Sequence, residues 1–295
     1  MPNAVFPRWQ GGFLVLFLLA EGLYLPATPA AVWSLIWGAL LAALAAWLWL
    51  QLLKATGARD FFALCQNHLP RAGQYALFAA VGLAAIAAIL QSLVRLSAFW
   101  RETAFPAMPQ WVSAAVLLAV GVCAGRRGRM AVAMWSYPTA FVIALTVAAS
   151  LVVTLSDCLP VHLLETAAGI APPQMLSLRF VPLALPLLLC EQDRHLSATH
   201  ACVRGVLLGG LGLVLLSLRA YLVLGAGAAA LPYPAFSAAG VFSVGDFLQR
   251  GEVVFGCALA LCEAVRVALL AALLGALCGC LRRSRGALPR TPQTF

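Results

Sequence analysis

Eight apolar runs, each near the length that crosses a bilayer as helix, restrict this chain to a membrane fold. They cover residues 11–27, 31–53, 76–99, 111–124, 131–155, 176–191, 206–225 and 253–281. A hydrocarbon core of about 30 Å takes about 20 apolar residues in helix, and a helix satisfies every backbone group within its own run. With 63% hydrophobic and only 10% charged residues over 295 positions, a soluble core could not absorb the remainder. The expected fold is therefore an all-α integral membrane protein, a single polytopic domain with about eight transmembrane helices.

Basic residues give this count an independent check, because translocation leaves Lys and Arg on the cytoplasmic side. With the N-terminus inside, thirteen of the nineteen fall inside, among them Arg8, Lys54, Arg59, Arg126, Arg127, Arg129, Arg204 and Arg282. Arg95, Arg101, Arg179 and Arg250 lie near the outer face, and Arg219 and Arg266 fall within runs. Both termini are thus expected in the cytoplasm. The net charge of +9 is this topogenic bias, with attraction to anionic lipid, and implies no nucleic acid. Arg8 and the small residues at 27–31 would also suit a cleaved signal peptide. Glu21 inside the run and the regular alternation of loop charges favour a retained helix.

Catalytic and metal chemistry find little footing. The nine cysteines are scattered singly through apolar runs, where a thiol acts as a small hydrophobe, and Cys278 and Cys280 have no histidine or second cysteine pair nearby. The four histidines lie in loops, and no nucleophile elbow, phosphate loop or HExxH motif occurs. No enzyme activity, metal or cofactor is expected.

Polar and helix-breaking residues inside the runs mark the candidate site. The first run carries Glu21 and Gly22, with Pro26 at its end, and the sixth carries Pro182 and Pro186 on either side of Ala184. Proline removes a backbone donor and glycine permits unwinding, so these runs can expose backbone at membrane depth only where it lines a protein cavity. With Gln91 in the third run and Glu263 in the eighth, these residues form the candidate ligand-binding set. An ionisable group within the membrane is a functional candidate by default. Glu21 could bind an amine, carry a proton, or satisfy unwound backbone or a basic partner. Glu263 and Arg266 are three apart on one helix face and can pair. Arg219 has no acid nearby in sequence, which leaves Glu21 or Glu263 as its distant partner, while Glu191 and Asp193 are expected to be solvated at the inner end of the sixth run.

The segment GDFLQRGE, residues 245–252, brings Asp246, Arg250 and Glu252 to the outer end of the eighth run. As chemistry it reads as an interfacial helix cap and ion pair. The segment SVGDFLQRGEVVFGCALALCEAVR, together with GLYLP at 22–26, the Pro-rich loop at 105–109 and AGRRGRMAV at 124–132, resembles the spore-germination permease family. These are the membrane B subunits of nutrient germinant receptors, similar in turn to amino acid, polyamine and organocation transporters.

The resemblance implies a LeuT-like inverted-repeat bundle, with residues 1–155 as the first five-helix repeat, 156–281 as an incomplete second one and 282–295 as a basic cytoplasmic tail. Members have ten spans, so the last two would be missing here. In the family pattern the first, second, sixth and seventh spans move against a scaffold of the third, fourth, eighth and ninth. The implied role is to sense a small nutrient, such as an amino acid, in the inner membrane of the spore alongside a soluble-domain subunit and a lipoprotein subunit. The alternative is a secondary transporter for an amino acid or organocation.

The charge asymmetry predicts that a reporter active only in the cytoplasm gives signal when fused after Phe295. A silent fusion, at normal expression, overturns the topology.

Overall fold

The computed structural model describes residues 7–158, 162, 178–192, 198–240 and 251–286, and among these every regular element is helical. The chain forms α1 (Pro7–Leu19), α2 (Pro29–Thr56), α3 (Phe61–His68), α4 (Arg71–Thr103), α5 (Gln110–Arg126), α6 (Arg129–Val153), α7 (Ala184–Leu187), α8 (Ala198–Leu224), α9 (Pro234–Gly240) and α10 (Gly251–Gly286). Five helices are long and apolar enough to cross a membrane: α2, α4, α6, α8 with its 3₁₀ extension to Ala230, and α10. This is the makeup of a multi-pass membrane protein. The fourth run forms the shorter apolar helix α5.

The two runs expected to break do so. The first leaves α-helix after Leu19, tightens to a 3₁₀ turn over Ala20–Tyr24 and becomes extended at Leu25. The sixth forms no membrane-length helix among its described residues: a 3₁₀ turn over Leu178–Leu183 contains Pro182, and the single turn of α7 ends in non-helical chain by Cys190. Two prolines within five residues remove the donors that a continuous ladder needs.

Local chemistry explains the other ends. Thr28 caps α2, its Oγ1 accepting from the Ala31 N–H at 3.2 Å with Pro29 next in line, and Gly57 closes the helix at φ 66°. Asp60 caps α3 by accepting from the Ala63 N–H at 2.8 Å. The turn between α5 and α6 passes through Gly128 at φ 87°, a backbone conformation that L side chains rarely adopt.

The core gathers around α1, whose Leu14, Leu16, Phe17, Leu18 and Leu19 are all buried. A helix apolar on every side belongs in the middle of a bundle. Around it the helices fall into two groups. In one, α1 and α2 pack on α8 and on the 3₁₀ segment Leu178–Leu183; in the other, α10 packs on α4 and α5, which also meet each other. α6 lies against both α1 and α10. Glycines set the tightest approaches. A Cβ on Gly205 would lie 2.5 Å from the Gly11 carbonyl oxygen, and one on Gly125 would lie 2.7 Å from the Ala268 oxygen.

Gly205→Leu should therefore destabilise the protein by about 2–3 kcal/mol, since backbone stands in the way of the new side chain. Thermal unfolding in detergent should show a lowered Tm, while Gly279→Ala, which meets nothing within 4 Å, should leave it unchanged. Equal Tm values for the two variants would contradict the α1–α8 contact.

Candidate functional site

Where α1 tightens into its 3₁₀ turn, the Glu21 side chain turns into the protein and is almost wholly buried. Gly22 next to it is closely packed: a Cβ would lie 2.9 Å from the Leu216 Cδ1, which would have to shift. Three arginines from three separate elements converge on the carboxylate. Arg266 of α10, 1% exposed, donates to Oε1 from one side; Arg95 of α4 donates to Oε2 at 3.1 Å; and Arg179, in the broken sixth run, comes to 3.8 Å of the same oxygen. Arg179 also donates at 2.7 Å to the carbonyl of Tyr24, at the end of the 3₁₀ turn. The two broken runs thus satisfy each other. A carboxylate buried alone would be costly, and the surrounding guanidinium groups make its charge tenable.

Aromatic faces complete the cradle. The Arg266 guanidinium stacks 4.9 Å from the Phe17 ring centre, and Arg95 lies 5.4 Å from that of Tyr24. Tyr24 in turn meets Tyr233 edge-on at 6.2 Å, outside the long helices, where burial and then Glu102 push the Tyr233 hydroxyl up to about 12.

Glu263 is fully buried one turn from Arg266, 3.9 Å from its Nη1, so the expected pair forms, although Arg266 lies closer to Glu21. Five buried polar atoms here find no well-formed hydrogen bond: Tyr24 OH, Ser92 Oγ, both Glu263 oxygens and Arg266 Nε. Concentrated donors and acceptors without partners are uncommon in a folded interior. Exposure is uneven, since Arg95 and Arg179 are 35% and 31% exposed while Glu21, Glu263 and Arg266 are sealed beneath them.

Of the residues singled out in the sequence, Glu21, Gly22, Glu263 and Arg266 come together here. Pro182 follows Arg179 in the broken segment and Pro186 is buried farther along it, while Ala184 is exposed. Gln91 does not join: it is exposed, and its neighbour Ser92 is the buried residue at this point of α4. Arg219 pairs with neither Glu21 nor Glu263. Its guanidinium donates to Ser150 Oγ at 2.7 Å and to the Ala235 carbonyl at 2.5 Å, and it stacks over Phe255 at 4.8 Å. Neutral acceptors on neighbouring helices take both terminal nitrogens, while its buried Nε has no hydrogen bond among the described residues. Glu252 is partly buried beside Gly240, whereas Asp246 and Arg250 lie outside the described residues.

A second ionic network lies at the other end of α1. Glu191, expected in solvent, is 3% exposed and pairs with Arg129 and, at 3.3 Å, with Arg59; Arg129 also lies 3.5 Å from Asp60. The Gln10 side chain grips the Glu191 backbone, donating to its carbonyl and accepting from its N–H, each at 3.2 Å. Cys190 and Cys202, twelve apart in sequence, bring their sulfurs to 3.7 Å beside it. The broken segment ends inside the protein here, so its terminal acid must be paired.

Arg95, Arg179, Tyr24 and Ser92 were not singled out as site residues from the sequence. Ser92 and Arg95 are spaced i,i+3 on the helix that carries Gln91, and that spacing was the available signal. Comparison with protein-family models, curated proteins and solved structures finds no match for this chain.

Removing the charge at the centre should be severe. Glu21→Gln leaves Arg266 buried beside a neutral partner and should cost about 3–5 kcal/mol, read as a lower denaturant midpoint in detergent, whereas Glu21→Gln with Arg266→Gln should recover part of the loss. A single variant as stable as the wild type would show that the pair does not hold the break.

Proposed function

We propose that this protein is a membrane solute-binding subunit that recognises a small zwitterionic nutrient, such as an amino acid, at the Glu21–Glu263 site. The observation that carries this reading is the set of five buried polar atoms that lack a well-formed hydrogen bond beside a helix break. Their chemistry divides as a zwitterion does. Arg95, Arg179 and the Tyr24 hydroxyl can donate to a carboxylate, and Glu263 with Ser92 can accept from an ammonium group. Half-exposed Arg95 and Arg179 form the approach. Glu21 itself is occupied by its arginines and acts as the anchor that holds them in place. Because the interior of the site is sealed, binding requires Arg179 and its segment to swing aside.

The role we assign is that of the membrane subunit of a spore nutrient germinant receptor, acting with a soluble-domain subunit and a lipoprotein subunit in the spore inner membrane, with both termini cytoplasmic. Two things support it. One is the resemblance carried by the segment around 243–266. The other is the grouping of α1, α2, α8 and the broken segment against α4, α5 and α10, which accords with the moving bundle and scaffold of a LeuT-like inverted repeat. In a receptor, solute binding would bias one arrangement of the two groups and pass that bias to the partners. Secondary transport is the second reading. The ionic networks at opposite ends of α1 favour it, because a transporter needs a closure on each side of its site, and buried Glu263 would then be the proton carrier.

A thermal-shift screen of the purified chain should find an amino acid that raises the Tm, by an amount equivalent to about 2.7 kcal/mol at a hundredfold excess over Kd. The matching amine without the carboxylate should have no effect, and Arg179→Ala should lose the response. A shift from the amine alone, or none across the amino acids, would overturn the zwitterion site. Labelled amino acid accumulating in proteoliposomes would decide for transport, and binding without uptake for the receptor.

A further inference from the structure

A cavity of about 500 Å³ runs along the membrane-facing surface between α1, α6 and α8, away from the Glu21 site. Its floor is α1, from Arg8 to Leu19, and one wall is α8, from Arg204 to Leu215. Each stretch is twelve residues long, which in helix is about 18 Å, a little over half of the roughly 30 Å hydrocarbon core. The groove therefore has the depth of one lipid leaflet. Its walls face outward: Phe141 is 71% and Leu208 60% exposed.

The charges are ordered along it. Arg8 and Arg204 both line it, on helices that touch through Gly11 and Gly205, and among the described residues the lining contains no carboxylate. Among the described residues neither arginine has an ion-pair partner. Beyond them the lining is almost entirely apolar. Two cations at the membrane surface, above an apolar channel one leaflet deep, are the mirror of an anionic lipid. We propose that this groove binds one anionic glycerophospholipid, its phosphate between Arg8 and Arg204 and one acyl chain along α1. The inference rests on the membrane-spanning helices alone and stands apart from the solute reading.

The test is native mass spectrometry of the delipidated full chain in neutral detergent, titrated with dioleoyl phosphatidylglycerol or dioleoyl phosphatidylcholine. One phosphatidylglycerol should be retained with about a 30-fold preference, from roughly 1 kcal/mol for each arginine. Arg8→Gln with Arg204→Gln should remove the preference, and Ala148→Phe, at an exposed position of the groove, should block binding while both arginines remain. All three positions are exposed, so an unchanged elution profile is expected of the variants. Equal retention of the two lipids by the wild type overturns the proposal. So does undiminished binding in Ala148→Phe, which would indicate a bare surface charge, or a phosphatidylglycerol preference that survives Arg8→Gln with Arg204→Gln, which would indicate an apolar slot that does not read the headgroup through these arginines. Displacement of the lipid by glycerol 3-phosphate alone would mark a free-anion site and overturn it as well.

Discussion

A single buried carboxylate organises this protein. Glu21 stands where α1 gives up regular hydrogen bonding, and a charge at that depth persists only if cations come to it. They come from α4, from the broken segment at 178–192 and from α10. Both helix groups therefore reach the same anion, Arg179 from one and Arg95 and Arg266 from the other. Apolar packing alone discriminates weakly among arrangements of helices in lipid, because the tails are as apolar as the side chains. The ion cluster selects one arrangement and places it at the helix break.

The cost of that choice is visible around it. Glu263, Tyr24 and Ser92 keep polar atoms without a well-formed hydrogen bond, gathered at one helix break, whereas the Arg219 guanidinium places both terminal nitrogens on neutral acceptors. Five such atoms at one point, with Glu263 held only by the 3.9 Å approach of Arg266, are the physical basis for proposing a ligand site there.

Much of the fold was legible in the sequence because hydropathy and length decide which runs become long helices, and glycine and proline decide where two of them fail. Partner choice was not legible. Gln91 and Ser92 differ by one residue, about 100° around a helix, and only the neighbours of α4 determine which of them is buried. Arg95 and Arg179 read as outer-face charges because their carboxylate lies 74 and 158 positions away along the chain. Glu191 read as solvated because a charge beside a polar stretch normally is; the folding of the broken segment back onto Gln10, Arg59 and Arg129 reversed that.

The Gln10 grip on the Glu191 backbone has a mechanical meaning. α1 and the broken segment are pinned to each other twice, through Gln10 at one face of the membrane and through Arg179 on Glu21 and the Tyr24 carbonyl towards the other. Two beams joined at both ends cannot slide past one another. They separate at one end by pivoting about the other, and the Gln10 pin is the neutral one, made of backbone and amide and indifferent to any incoming charge. A carboxylate arriving at Arg179 would loosen only the ionic pin. The first helix would thus open as a jaw hinged on the Gln10 side, its gape set by how far the ligand draws Arg179 from Glu21.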